Sequence, residues 1–167
     1  MIYISNKIFF GGSIVNFNIV LYQPEIPQNT GNIARTCVLT ECKLHLIKPL
    51  GFELDEKHLK RAGLDYWQYL QLEVHESYEE FIGKYGDETI YLASTHGENH
   101  YDEVNFKEGD FIMFGRESSG VPDEVHENCK NIKVPMIKSS TRSLNLSNTV
   151  AIIAYEGLRQ LGFPNMK

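Results

Sequence analysis

FNIVLYQPEIPQNTGNIARTCVL, residues 17–39, decides how the rest of the chain is read. Its first six residues are apolar and β-branched enough for a buried strand, which Pro24 and Pro27 stop. NTGNIARTCVL then predicts a helix, with Asn29 and Thr30 as candidate caps and Ile33, Ala34, Cys37 and Val38 on one stripe. The alternation recurs along the chain. Further strands are expected over LHLIK (44–48), TIYLAST (89–95), DFIMFG (110–115) and NIKVPM (131–136). Helices are expected over LDEKHLKRAGL (54–64), SYEEFIGKYG (77–86), VPDEVHENC (121–129) and NTVAIIAYEGLRQLG (148–162), the last stopped by Gly162 and Pro164. Strands too apolar to own a solvated face, alternating with helices, imply an α/β fold. Its sheet is mainly parallel and flanked by helices on both faces.

One domain over residues 17–167 accounts for this pattern, and a chain of 167 residues buries enough surface to fold without staples. Residues 1–16 form an N-terminal extension of unknown role. Their short apolar stretch loosely resembles a signal peptide, but the leading segment is apolar and no A-x-A-like site follows, so an extra strand or loose arm is expected. No apolar segment approaches the ~20 residues that cross a bilayer, so no membrane partner is expected. Cys37, Cys42 and Cys129 are odd in number and fit no zinc template; reduced thiols in a cytoplasmic protein are the simpler reading. The six histidines show no metal-ligand spacing, and no metal is expected.

A net charge of −6 argues against nucleic acid as a global sum, because phosphate binding relies on lysine and arginine. The positive residues are nevertheless clustered. Lys57, His58, Lys60 and Arg61 form one run, and Lys138 and Arg142 lie close together in another. Either cluster serves as a phosphate-binding patch or as an ordinary solvated face. Tyr66, Trp67 and Tyr69 follow the first run at a spacing that suits either core packing or stacking on unpaired bases.

In open α/β sheets ligands gather beyond the carboxyl ends of the strands. Four expected strand ends carry unusual loops: PEIPQNTGN, STHGE, GRESSGVP and MIKSSTRSLNLSN. GRESSG is neither G-x-G-x-x-G nor a P-loop, so a nucleotide-dependent oxidoreductase or ATP enzyme lacks its usual support. SLNLSN, with Ser147 or Asn148 as candidate cap of the last helix, holds more hydroxyls and amides than capping can use. Such a loop suits a polar ligand held by hydrogen bonds around its rim.

NTGNIAR, GRESSG and SLNLSN, in this order and separation, resemble the three motifs of the SPOUT-class RNA 2'-O-ribose methyltransferases. The text around them, NIVLYQPEIPQNTGNIAR, LDEKHLKRAGLDYW and KVPM, is similar to the subfamily acting on the wobble nucleotide of tRNA. The match covers roughly residues 17–164. Gln28 stands where a second proline is expected, and KSSTRS is one residue longer than in relatives.

The resemblance implies a C-terminal trefoil knot, an exception to the rule against threading. It also implies a homodimer, S-adenosyl-L-methionine as cofactor, and the anticodon stem-loop of tRNA as substrate, with leucine tRNAs carrying C or U at position 34. Carried onto this chain, the cofactor pocket comprises Ala93, Gly115, Val134, Met136, Ser143, Leu144 and Asn145. Catalysis falls to Arg35, with Asn29 and Asn32 positioning it and Glu117 or an RNA phosphate accepting a proton; Lys57, Lys60, Arg61 and Arg142 would meet RNA. Two alternatives stay open: a ribose elsewhere in tRNA or in ribosomal RNA, and an RNA-binding protein of this fold without catalysis.

Overall fold

The structure, a computed structural model, describes residues 15–54, 65–139 and 142–167. Seven strands form one sheet: β1 (Asn18–Tyr22), β2 (Lys43–Ile47), β3 (Leu72–His75), β4 (Ile90–Ala93), β5 (Asn99–His100), β6 (Phe111–Phe114) and β7 (Lys130–Lys133). Their order is β3-β2-β1-β6-β4-β7-β5, and every neighbouring pair is parallel. Among the described residues the helices are α1 (Pro27–Leu39), α2 (Tyr78–Tyr85), α3 (Asp123–Glu127) and α4 (Leu146–Gln160), with a short 3-10 turn at Asp65–Tyr69.

Side chains alternate between two buried layers, because successive strand residues point to opposite faces. Ile19, Leu21, Leu44, Leu46, Ile112 and Phe114 meet α1 through Ile33, Ala34 and Cys37, and α4 through Val150, Ile153, Ala154 and Leu158. Val20, Tyr22, Ile47, Ile90, Leu92, Phe111 and Met113 meet α2 through Phe81 and α3 through Val125. Both faces are covered, which is why β1 and β6 are buried at every position. Phe17 seals the seam beneath α4: a Cβ on Gly157 would come within 2.7 Å of its ring.

Several boundaries differ from expectation. Helix α1 begins at Pro27, the position where a fixed φ suits a first turn, with Ile26 as a cap that offers no side-chain bond. Asn29 and Thr30 are therefore buried inside the first turn rather than capping it. Helix α4 starts at Leu146 and is capped by Asn145, whose Oδ1 accepts the Ser147 amide at 2.9 Å; neither Ser147 nor Asn148 is the cap. Strand β7 ends at Lys133, leaving Val134 and Met136 in the loop beyond it, where Pro135 cannot donate to a ladder. The helix expected over 54–64, and with it Lys57, Lys60 and Arg61, lies outside the described residues apart from Leu54. Asn16 is anchored to the domain: its side chain donates to Thr40 O at 2.8 Å and its amide to Glu41 O at 3.1 Å.

Candidate active site

The chain runs outward from β1 through β2 to β3 and then crosses to the other side of β1, so the strand order reverses at the β1–β6 boundary. Crevices at such a reversal take ligands. A cavity of about 690 Å³ opens beside it, bounded by Ala93 at the end of β4 and Ser94 beyond it, Gly115 and Glu117 beyond β6, Val134 beyond β7, and Asn29 of α1. Ser143, Leu144 and Asn145 close it from the start of α4. A second cavity, about 990 Å³, runs along the β4–β7–β5 edge. It touches none of the three motifs, which makes the first the candidate site.

Nine of the expected residues thus line one space: Asn29, Ala93, Gly115, Glu117, Val134, Met136, Ser143, Leu144 and Asn145. Three are joined in a bonded chain. Asn145 Nδ2 donates to Asn29 Oδ1 at 3.0 Å, and Asn29 Nδ2 donates to Glu117 Oε1 at 3.1 Å. Glu117 also accepts the amides of Glu25 at 2.9 Å and Ile26 at 3.2 Å. Its two oxygens therefore serve three donors, and the carboxylate acts as a bracket for the start of α1.

The GRESSG turn is tight. Arg116 and Gly120 exchange two backbone bonds of 3.0 Å, Gly120 has a left-handed φ of 66°, and a Cβ on Gly115 would stand 2.6 Å from the Gly120 carbonyl carbon. Among the described residues Arg116 is the lone lysine or arginine on the cavity wall, and its guanidinium is turned toward Gln23 Oε1 and the Tyr22 ring. The wall offers apolar Leu92, Phe114, Val134 and Leu146, short hydroxyls, and the carboxylates Glu117 and Asp123. Such a lining fits a compact ligand with an aromatic part and a cationic centre, and gives no cradle to phosphate.

Arg35 does not line this cavity. It is exposed on α1 with its guanidinium carbon 5.4 Å from the centroid of the Tyr66 ring. The Tyr66 hydroxyl donates to Gly31 O at 2.8 Å, so the 3-10 turn buttresses the helix that carries Arg35. Tyr69 is 61 % exposed, whereas Trp67 packs against the larger core layer. Arg142 is exposed beside the cavity-lining Ser143.

One polar cluster escaped the sequence reading. His45 and His75 are fully buried on β2 and β3, and Glu73 stands beside them, close enough to raise the question of a metal ion. The two rings are near-coplanar at 11°, their centroids are 5.4 Å apart, and His45 Nδ1 faces His75 Nε2 at 3.1 Å. A metal would need to stand ~2.0–2.1 Å from each nitrogen with converging lone pairs. Here the lone pair of one ring points along the N–H of the other, which is a hydrogen bond. Asn18 fixes the tautomers, because its Nδ2 donates to Gly109 O at 2.7 Å and its Oδ1 faces His45 Nε2 at 3.0 Å. His45 then donates to Asn18 and accepts from His75.

Burial, aided by the Lys43 ammonium, pushes His45 down to about 3, and burial lowers His75 as well. Burial alone would raise Glu73, but bonds from Lys43, Lys84 and Tyr85 outweigh it and hold the carboxyl at about 2. The thiols of Cys42 and Cys129 are pushed up to about 11 by burial, and burial also raises that of Cys37 well above the ordinary thiol range, so none is a ready nucleophile.

Fold and site together define an α/β domain with a largely polar cavity at its topological switch point. The chain belongs to the SpoU rRNA Methylase family, whose sequence pattern matches residues 16–155. It is 47% identical over 154 residues to a tRNA (cytidine(34)-2'-O)-methyltransferase of Saccharophagus degradans, covering 90% of this chain and 99% of that one. A protein of the same description from Escherichia coli K12 is 43% identical over 150 residues, covering 88% and 95%. Among solved structures, one described as giving insight into 2-OH methylation of C/U34 on tRNA superposes with a TM-score of 0.82 at 46% identity. That match covers 87% of this chain and 96% of the other. An AdoMet-bound rRNA methyltransferase of Sinorhizobium meliloti shares the fold with a TM-score of 0.78 at 19% identity, over 87% of this chain and 57% of that one.

Proposed function

We propose that the protein transfers a methyl group from S-adenosyl-L-methionine to the ribose 2'-hydroxyl of the wobble nucleotide, C34 or U34, in tRNA. The observation that carries this reading is the bonded chain Asn145–Asn29–Glu117, which draws three distant motifs around one phosphate-free cavity. Near-full-length similarity to proteins described as acting on cytidine 34 supports the choice of substrate.

When bound, the cofactor supplies an electrophilic methyl on a sulfonium centre, which the 2'-hydroxyl oxygen must approach in line. Gly115, Val134, Met136, Ser143 and Leu144 would hold its adenosine portion against apolar walls and backbone groups. Glu117 and Asp123 would give the sulfonium side a favourable field. A guanidinium offers five N–H donors and no acceptor, so Arg35 is an anchor and not a literal base. It anchors the RNA phosphate beside the reacting sugar and stabilises charge as the hydroxyl proton leaves. With Glu117 engaged by three donors, that proton passes to a neighbouring phosphate oxygen of the RNA. Lys57, Lys60, Arg61 and Arg142 supply further phosphate contacts.

Because Arg35 stands outside the cavity of its own chain, a homodimer in which one copy presents Arg35 near the cofactor of the other completes the site. The dimer, a knotted C-terminal segment, leucine tRNAs as substrates and a cytoplasmic location belong to the same proposal. Nucleoside mass spectrometry of tRNA from cells lacking the protein tests it: 2'-O-methyl C and U should disappear at position 34 alone. Unchanged tRNA with undermethylated ribosomal RNA would overturn the substrate assignment.

A further inference from the structure

Three consecutive residues of the GRESSG turn grip the chain just before α1. The Arg116 guanidinium bonds Gln23 Oε1 and lies 5.3 Å from the Tyr22 ring centroid. Glu117 accepts the Glu25 and Ile26 amides. The Ser118 amide donates to Glu25 Oε2 and its hydroxyl to Glu25 Oε1, both at 2.8 Å. Glu25 is thus bonded in both directions: its backbone gives to Glu117 and its carboxylate receives from Ser118. Those two Ser118 bonds, the hydroxyl first, hold the Glu25 carboxyl below the ordinary range, so it is ionised whenever RNA chemistry proceeds.

The gripped segment has little freedom of its own. Gln23 adopts a left-handed φ of 48°, a constrained state for a residue with a side chain. On its other flank Gly51 donates to Pro24 O at 2.9 Å, and a Cβ there would stand 2.7 Å from Glu25 Cα. The turn is equally stiff, closed by its paired Arg116–Gly120 bonds. One rigid turn therefore lines the cofactor cavity and also holds the start of α1, the helix that carries Asn29 and Arg35.

We propose that Glu25 is a positioning residue which, through Ser118, locks the cofactor turn to the start of α1 and so makes cofactor binding and RNA binding strengthen one another. The inference rests on the reading that this cavity takes S-adenosyl-L-methionine and that α1 meets RNA. Two stiff parts joined by paired bonds shift together, and a ligand that selects one position of the turn selects the matching position of the helix. Linkage requires the effect to be equal in both directions.

The test uses the full chain, S-adenosyl-L-homocysteine as a cofactor probe that cannot turn over, and an anticodon stem-loop RNA with C at the wobble position. Calorimetry gives the Kd of the probe with and without RNA, and fluorescence anisotropy gives the RNA Kd with and without the probe. In the native chain each ligand should tighten the other by the same factor, on the order of 5–150. In Glu25→Ala that factor should fall close to one; in Ser118→Ala, which keeps the amide bond to Glu25 Oε2, it should fall by less, and the double variant should fall no further than Glu25→Ala, since the two groups act as one unit. Ser118 is exposed, so its variant keeps the test available if Glu25→Ala does not fold. A merely structural role would weaken the two affinities and leave their coupling ratio intact. Native-sized coupling in both variants, or none in the native chain, overturns the proposal alone. Failure of the probe to bind the native chain overturns the reading of the cavity with it.

Discussion

The molecule holds two polar clusters of similar richness, and they sit in opposite circumstances. Asn18, His45 and His75 are buried beneath α2, and their bonds run among themselves and to one backbone carbonyl. Asn29, Glu117 and Asn145 form an equally continuous chain, but it borders a cavity of about 690 Å³ at the strand ends. Buried polarity by itself therefore says little about function. Histidines locked neutral in a dry layer serve the sheet, whereas amides and a carboxylate held rigid beside open space serve a ligand.

The sharpest way to break this contrast is at Arg35. Its replacement by alanine should lower kcat/KM by on the order of 10²–10³, the cost of removing a preorganised donor from a transition state. The melting temperature should stay close to native, because the side chain is exposed and its one aromatic contact is peripheral. Steady-state kinetics with the stem-loop RNA and a thermal melt read both. A folded variant that methylates at the native rate would remove Arg35 from the chemistry.

The reverse experiment lies in the core. His75→Ala leaves the His45 lone pair facing a void, so a lost bond adds to a lost side chain. A destabilisation of about 2–4 kcal/mol is expected from urea unfolding. The Kd for the cofactor probe should not move. If affinity falls as steeply as stability, the two clusters are one system and the division is wrong.

How far each cluster could be read in advance follows the same line. Strand β1 and strand β6 were plain from their unbroken apolar runs, and the motifs marked the cavity because polar residues crowd where a strand has just ended. Strand β3 was missed: LEVH alternates charge with apolar residues and carries a buried histidine whose partner lies 30 positions away. Strand β5 is two residues long and has no periodicity to detect. The placement of Arg35 was also beyond sequence. Helical spacing assigns it to α1, but which side of the helix meets the cavity depends on how Ile33, Ala34 and Cys37 seat α1 on the sheet. Nothing local announces that Glu117 will hold the Glu25 and Ile26 amides 92 and 91 positions upstream.

A smaller effect is expected where the core layer is tightest without polarity. Gly157→Ala drives a methyl to within 2.7 Å of the Phe17 ring, and overpacking of this kind costs about 1–3 kcal/mol. Phe17→Leu in the same chain should recover part of the loss by freeing the space. Recovery belongs to stability alone, since neither residue lines the cavity. No rescue in the double variant would mean that the seam between β1 and α4 is held by something other than this contact.

The gentlest prediction concerns pH. His45 titrates near 6.5 in an unfolded chain and is pushed down to about 3 in the fold, with His75 lowered in the same sense. Below 6.5 the unfolded chain takes up protons that the folded one refuses, so stability is complete above about pH 7 and drains as pH falls. The slope approaches about 1.4 kcal/mol per pH unit for each proton refused, while between pH 7 and 6 the loss stays under about 1 kcal/mol for each histidine. Glu73, held at about 2, adds to the loss only below its ordinary range near 4.5, and in the same direction. The ammoniums of Lys43 and Lys84 oppose protonation of the pair, while the carboxylate of Glu73, and for His75 that of Glu80, favours it less strongly than burial disfavours it. Urea midpoints from pH 7.5 to 5 would trace the curve, and His75→Gln should flatten it by one proton's share. A native midpoint that does not fall below pH 6.5 would mean the imidazoles take protons in the folded state, and the picture of two neutral rings in a dry layer would have to be abandoned.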